Sequence, residues 1–292
     1  MEKLEFEKGI ISYDYYLEYT KQNINKEYEF VKSILVYVFP YPNYDKKDNY
    51  LPAKFSYGED YHQVVTEFLE EEAKRLNLNK YKVLSDISFL NEKICACLSG
   101  LGKKGMNDLF ISNKYGSFVF IGEIVTDTVF EYNYNQVEEC LKCGKCSIAC
   151  PNNAIDGKFN KEKCLSYLSQ RPSENFELYD KMYNYYGCDI CQNVCPMNKE
   201  RNINNIFDLD DKAKMNLEVL EKIKDYKEYS KSKTYSWIGY LKMLRNILVL
   251  ETNNQNISVE KLEYYQKKYR NVEWFYNHLE YLKRRLKENG IN

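Results

Sequence analysis

Eight of the ten cysteines in this 292-residue chain fall between residues 140 and 195. The first run reads Cys140-Leu-Lys-Cys143-Gly-Lys-Cys146-Ser-Ile-Ala-Cys150-Pro151. This is the C-x2-C-x2-C-x3-C-P spacing with which a tight turn wraps a four-iron cubane, its fourth cysteine reaching a second cluster. Cys164 follows alone, then Cys188-Asp-Ile-Cys191-Gln-Asn-Val-Cys195-Pro196. Two [4Fe–4S] clusters need eight thiolates, and the segment supplies eight. Cys140, Cys143 and Cys146 can surround one cluster, while Cys150 points away toward a second. Its partners would be Cys164, Cys188 and Cys191, which leaves Cys195 to return to the first. Zinc sites also use C-x2-C pairs, but rarely with a three-residue gap followed by proline. The spacing predicts a double-cluster, ferredoxin-like segment over 135–205. Cys95 and Cys97 stand outside this ladder, in an apolar stretch, and are read as small core residues.

Clusters and free thiols imply a reducing compartment, and the cytoplasm is the expected location. The N-terminus has acidic residues and no apolar signal region, and no apolar run reaches membrane-spanning length, so no membrane partner is expected. Formal net charge is −1, which argues against a general affinity for polyanions such as DNA. The charge is nevertheless unevenly spread. Residues 222–292 carry 15 Lys and Arg against 8 Asp and Glu, leaving the remainder net negative by eight. Such a tail either faces something negative or is a solvated helical face. The 29 tyrosines, set among many Lys and Asn, are read as compositional bias.

Along the chain, residues 32–42 read as a buried strand ended by Pro40 and Pro42. Residues 59–76 have a helical apolar period through Tyr61, Val64, Val65, Phe68 and Leu69, with Asp60 near the start. A short strand over 81–84 leads to Asp86, and a helix is expected over 88–98, where Asp86 would serve as a cap. Strands at 109–111 and 117–125 flank a turn at 113–116. The first 134 residues thus make a mixed α/β lobe within an α+β chain. From about 206 onward helices follow, broken at 252–256, with Trp237, Ile238, Tyr240, Leu241, Leu244, Ile247 and Leu248 on one apolar face. His62 and His278 are the only histidines. His62 is read as a packed or surface residue, with a cofactor contact as the alternative.

Several segments in order carry a more specific signal. They are Gly58-Glu-Asp60-Tyr61-His62, Ser85-Asp86-Ile-Ser-Phe-Leu-Asn-Glu92-Lys93, Gly100-Leu-Gly-Lys-Lys-Gly105-Met-Asn107 and Tyr115-Gly-Ser-Phe-Val-Phe-Ile-Gly122-Glu123. With the cysteines and Tyr186-Gly-Cys188-Asp-Ile-Cys191-Gln, this order resembles the epoxyqueuosine reductase family, a relative of the reductive dehalogenases. The resemblance implies three parts: an N-terminally shortened cobalamin lobe (1–134), the cluster domain (135–205) and a HEAT-like helical region (206–292). Members of this family usually begin with a further helix and strand; here either an edge of the cofactor lobe is lost or residues 1–25 replace it. The implied activity is reduction of epoxyqueuosine to queuosine at the tRNA wobble position. Electrons would pass through two [4Fe–4S] clusters to base-off cobalamin, from a donor such as ferredoxin or flavodoxin. Asp86 becomes the proton donor, its pKa raised by partial burial. Gly102, Gly105, Asn107, Phe110, Ile121, Gly122 and Ser166 become cofactor contacts. Met106 replaces a usual lysine, and Gln170 and Arg171-Pro172 also depart from the family pattern. The tRNA anticodon stem-loop would meet Lys267, Lys268, Arg270, Lys283, Arg284 and Arg285 with Tyr269, Trp274 and Tyr276. Two other readings are a two-cluster electron carrier and a corrinoid reductase acting on a small molecule.

Overall fold

The two longest apolar runs of the first half become the central strands of a sheet. A computed structural model describes residues 6–22, 26–42, 50–86, 88–198, 206–207, 213–288 and 290. By internal packing the chain divides into two units. The first comprises Met1–Asn43, Asp60–Cys146 and Gln192–Asp208; the second comprises Tyr44–Glu59, Ser147–Cys191 and Leu209–Asn292. The cysteine segment, expected as a lobe of its own, is shared between them.

The first unit contains β1 (Glu7–Ser12), α1 (Tyr13–Thr20), β2 (Ser33–Pro40), α2 (Tyr61–Arg75), β3 (Tyr81–Ser85) and α3 (Glu92–Leu98). It continues with β4 (Gly102–Lys104), β5 (Phe110–Ser112) and β6 (Val119–Thr126). Four strands form an antiparallel sheet in the order β1-β2-β6-β3, and β4 pairs with β5. Every residue of β2 and β6 is buried, because helices cover both faces. On β2, Leu35, Tyr37 and Phe39 alternate with Ile34, Val36 and Val38. The first face meets α2, where the Tyr37 hydroxyl donates to Glu72 and Phe39 packs edge-on against Phe68. The second face joins the cluster containing Cys95, Ala96 and Leu98 of α3. Cys95 and Cys97 are core residues, as their apolar setting predicts. Asp60 caps α2, accepting from the His62 N–H. Residues 7–12 form the edge strand of this sheet.

Helix α3 starts four residues later than its pattern suggests. Asn91, not Asp86, is its cap, accepting from the Ile94 N–H. Asp86 therefore stands outside the helix, with a φ of 61°. Asp is among the few residues that tolerate this left-handed region.

A short helix, α4 (Lys145–Ala149), carries the chain from the first unit into the second. The second unit holds the β7 (Ile155–Asp156) and β8 (Lys158–Phe159) hairpin, α5 (Leu165–Gln170), α6 (Ile190–Asn193), α7 (Leu217–Lys222) and α8 (Tyr226–Ser230). The last residues of α6 return to the first unit. Long helices α9 (Tyr240–Asn253), α10 (Val259–Lys268) and α11 (Glu273–Glu288) complete it. Phe275, Leu279, Leu282 and Leu286 of α11 recur at helical spacing and enter one core with Met243, Leu244, Ile247 and Leu248 of α9. Tyrosines do more here than reflect composition. Tyr179, Tyr185, Tyr235 and Tyr265 are nearly fully buried in that core. The Arg245 guanidinium is buried with them, 4.2 Å from the Tyr179 ring centre, and donates to the carbonyls of Leu168 and Arg171. Trp237 departs from expectation: it lies on the surface, 51% exposed, because a short turn ahead of α9 carries it off the helix's apolar face. Among the described residues no helix is long and apolar enough to cross a membrane.

Candidate cluster sites and active-site carboxylates

In the first unit Cys140, Cys143, Cys146 and Cys195 line one small concavity, together with Met106, Asn107, Ile111 and Met197. Lys142 and Gly144 adopt left-handed backbone (φ 49° and 75°), which curls the 140–146 turn. The Cys140 N–H donates to the Lys104 carbonyl at 2.9 Å, strapping this turn to β4. The Cys195 segment is tied down separately. Asn198 accepts from the Ser117 N–H at 2.7 Å and donates to the Gln192 carbonyl at 2.7 Å. Four thiols around one hollow suit the donor set of a cubane.

The other four cysteines belong to the second unit. Cys164 interacts electrostatically with Cys150, and Cys188 with Cys164 and Cys191. Burial pushes the Cys188 thiol up to about 12 and also raises Cys164. Thiolates here need compensating positive charge, which iron supplies. N–H donors point at the same sulfurs: Ala154 to Cys150 at 3.3 Å, Ser166 and Tyr167 to Cys164, and Ile190 to Cys188. The pairing read from spacing therefore coincides with the division of the chain.

A second constellation in the first unit is carboxylate-rich. His62 bridges two aspartates, with Nδ1 2.5 Å from Asp60 Oδ1 and Nε2 3.1 Å from Asp86 Oδ2. Burial pulls the imidazole's pKa down, but its bonds to Asp60 and Asp86 outweigh this and raise it to about 9. His62 is thus an imidazolium at neutral pH. Burial likewise pushes Asp60 up, and its bonds to His62 reverse the shift to below the ordinary carboxylate range. Asp86 is not buried as expected: its side chain is 52% exposed, because it stands on the loop beyond β3.

Glu123 sits in the middle of β6, on the face toward α3, and is 1% exposed. Its Oε1 has no hydrogen-bond partner, while Cys95 and Ser88 bond to its carboxyl group. Burial raises its pKa to about 7. Glu92, at the start of α3, is pushed up to about 8 by burial and then by Glu123 and Asp86. A buried acid in an otherwise apolar strand, with a second at the start of the neighbouring helix, marks a functional region. His62 was weighed as a packing residue, and neither glutamate was singled out. The local signal was a Glu within an apolar strand run, and only the sheet shows which face it occupies.

The acid pair has a measurable consequence. Unfolded, Glu123 ionises near its ordinary 4.5; folded, it holds its proton until about pH 7. Stability should therefore fall as pH rises from 4.5 toward 7 and remain lower above that. Glu123→Gln should be more stable than the parent at pH 8, on the order of 2 kcal/mol, and no more stable at pH 5. Urea midpoints at the two pH values measure this. A parent midpoint that does not drop between them refutes it.

Other expected contacts have different surroundings. Phe110 and Ile121 are core residues, 3% and 6% exposed. A Cβ at Gly102 would run into the Ile111 carbonyl and the Phe110 ring, and one at Gly122 into Val65 and Leu69. A Cβ at Gly105 would meet the Asn107 side chain. The protein's own packing thus requires these glycines to be small. Asn107 lines the first cysteine concavity, and Ser166 lies in the second unit beside Cys164. The expected basic surface is partly self-neutralised. Lys283 pairs with Glu280, Arg285 with Asp180 and Arg284 with Glu288, at 2.9, 3.0 and 3.8 Å.

These features suit an iron–sulfur protein with two clusters, and residues 139–198 match the family described as a 4Fe-4S double cluster binding domain. The particular proteins it is similar to are epoxyqueuosine reductases. That of Cyclobacterium marinum is 37% identical over 180 residues, 58% of this chain and 58% of its own length. The matched part thus spans less than two thirds of that relative. The solved reductase of Streptococcus thermophilus superposes with a TM-score of 0.78 at 28% identity, covering 94% of this chain and 85% of its own. An epoxyqueuosine reductase crystallised with an epoxyqueuosine-modified tRNA-Tyr stem loop shares the fold, with a TM-score of 0.77, 23% identity and coverages of 96% and 95%.

Proposed function

We propose that this protein reduces epoxyqueuosine to queuosine at the wobble position of tRNA, with electrons entering through two [4Fe–4S] clusters. The observation that carries this reading is that one unit holds both a four-cysteine hollow and the Asp60–His62–Asp86 chain. Similarity to reductases, one of them bound to the modified stem loop, supports the substrate.

Removing an epoxide oxygen as water, leaving an alkene, takes two electrons and two protons. Cobalamin, when bound, supplies a reducing centre that amino acids lack. The residues present suit a base-off form. Both His62 nitrogens are engaged by aspartates and His278 is buried in the other unit, so the chain offers no free imidazole to the metal. Asp86, with its exposed carboxyl group, is the residue to donate a proton to the departing oxygen. His62, charged below about pH 9, lies within hydrogen-bond reach of that carboxylate and can return a proton to it. Glu92 and Glu123 keep further protons in the same region near neutral pH.

Anaerobic incubation of the cluster-loaded chain with cobalamin, a chemical reductant and an epoxyqueuosine-containing stem loop tests the reading. Nucleoside analysis should show queuosine formed at the expense of epoxyqueuosine. Clusters that reduce normally while the epoxide persists would leave electron carriage and refute the reductase.

A further inference from the structure

We propose that Arg171, Trp237 and Lys242 form an RNA-binding surface on the second unit, in which an unpaired base packs on the indole and flanking phosphates meet the two cations. The proposal rests on tRNA being the substrate and names where on this unit the RNA is held.

Three segments build the surface. Tyr167 and Arg171 come from α5 and its end, Trp237 from the turn ahead of α9, and Lys242 from the first turns of α9. The Arg171 guanidinium lies 5.5 Å from the Tyr167 ring centre and 5.8 Å from that of Trp237. The Lys242 ammonium lies 6.0 Å from the same indole, and that of Lys161 lies 5.5 Å from Tyr167. Cations and aromatic planes thus alternate, the arrangement by which single-stranded nucleic acid is held without base-specific hydrogen bonds.

Two further observations separate this patch from an ordinary solvated face. None of Lys161, Arg171 and Lys242 pairs with a carboxylate among the described residues, whereas Lys283, Arg284 and Arg285 of α11 do. Burial lowers the Lys242 pKa, and Arg245 and Arg171 lower it further, so like charges are gathered here. The large apolar side chain at the centre is also held in place while exposed. The Trp237 indole N–H donates to the Tyr186 hydroxyl at 3.2 Å, which fixes the ring plane, and the Lys242 ammonium donates to the Ile238 carbonyl at 2.7 Å. A fixed, half-exposed indole between unpaired cations has the chemistry of a base-and-phosphate site. An acidic protein would need the cations but not the oriented ring.

The chain has two tryptophans, Trp237 and Trp274, so the cluster-loaded Trp274→Phe protein reports on Trp237 alone. Titration with an anticodon stem-loop RNA should quench its fluorescence saturably. Adding Trp237→Ala should weaken binding, measured by filter retention, about tenfold. Arg171→Gln and Lys242→Gln should each lower the slope of log affinity against log salt by about one. Unchanged affinity and slope in all three variants overturns the proposal. So does a pattern in which they bind RNA normally but accept electrons from reduced flavodoxin more slowly, which would make this the donor's dock. Quenching by inorganic phosphate alone, at equal ionic strength, overturns the assignment to a polynucleotide. A parent protein that binds no stem loop overturns the tRNA reading itself and this surface with it.

Discussion

Asp86→Asn should lower the rate of queuosine formation by about 10²–10⁴-fold, the range typical of removing a general acid. Asparagine keeps the size of the side chain and can still meet His62, so the loop's geometry survives while the transferable proton is lost. Iron content and cluster absorbance should match the parent, because the eight cysteines lie elsewhere in the sequence. Single-turnover nucleoside analysis measures the loss. Parent-like turnover would remove Asp86 from the chemistry. The pH profile gives a second handle. The folded His62 pKa is raised from 6.5 to about 9. Its stabilising interaction with Asp60 and Asp86 is therefore complete below pH 6.5 and lost as pH rises through 9. Activity should fall over the same upper window. His62→Gln should remove that alkaline limb.

Pairs of cysteine substitutions should separate the two clusters cleanly. Cys150→Ala with Cys188→Ala removes two ligands from one predicted cluster and should leave about four irons of the original eight. Cys150→Ala with Cys195→Ala takes one ligand from each cluster and should leave fewer than four. The contrast is informative because Cys150 belongs by sequence to the same run as Cys140, Cys143 and Cys146. If the run bound one cluster by itself, the Cys150/Cys188 pair would damage both clusters instead. Iron and sulfide analysis of anaerobically purified protein decides between these outcomes. The losses should also destabilise the chain, since binding of a cluster is coupled to folding.

Much of the fold could be read from local pattern. The run 33–40 is apolar at every position because both its faces are covered, and α2 begins one residue after its aspartate cap, as its period indicates. The pattern places the start of α3 too early because Asp86 looks like its cap, and only the folded chain shows that Asn91 fills that place. Trp237 was assigned to an apolar face because hydrophobicity and helical spacing agree there. The turn at Ser236–Ile238 breaks the spacing and carries the indole outward. The basic tail was overcounted for a similar reason. Charge can be summed along a sequence, but ion pairing cannot, and Arg285 finds its partner at Asp180, over a hundred residues away.

The cysteine spacing alone proposes which thiols act together, since the tight 140–146 turn can present three of them to one cubane and turns Cys150 away. The same sequence could not show that the boundary between the two units separates those ligand sets, because that depends on which distant segments pack together. Nor could it bring His62 to Asp86 or set Glu123 beneath α3. Their proton affinities arise from burial and from partners brought close only by the folded sheet.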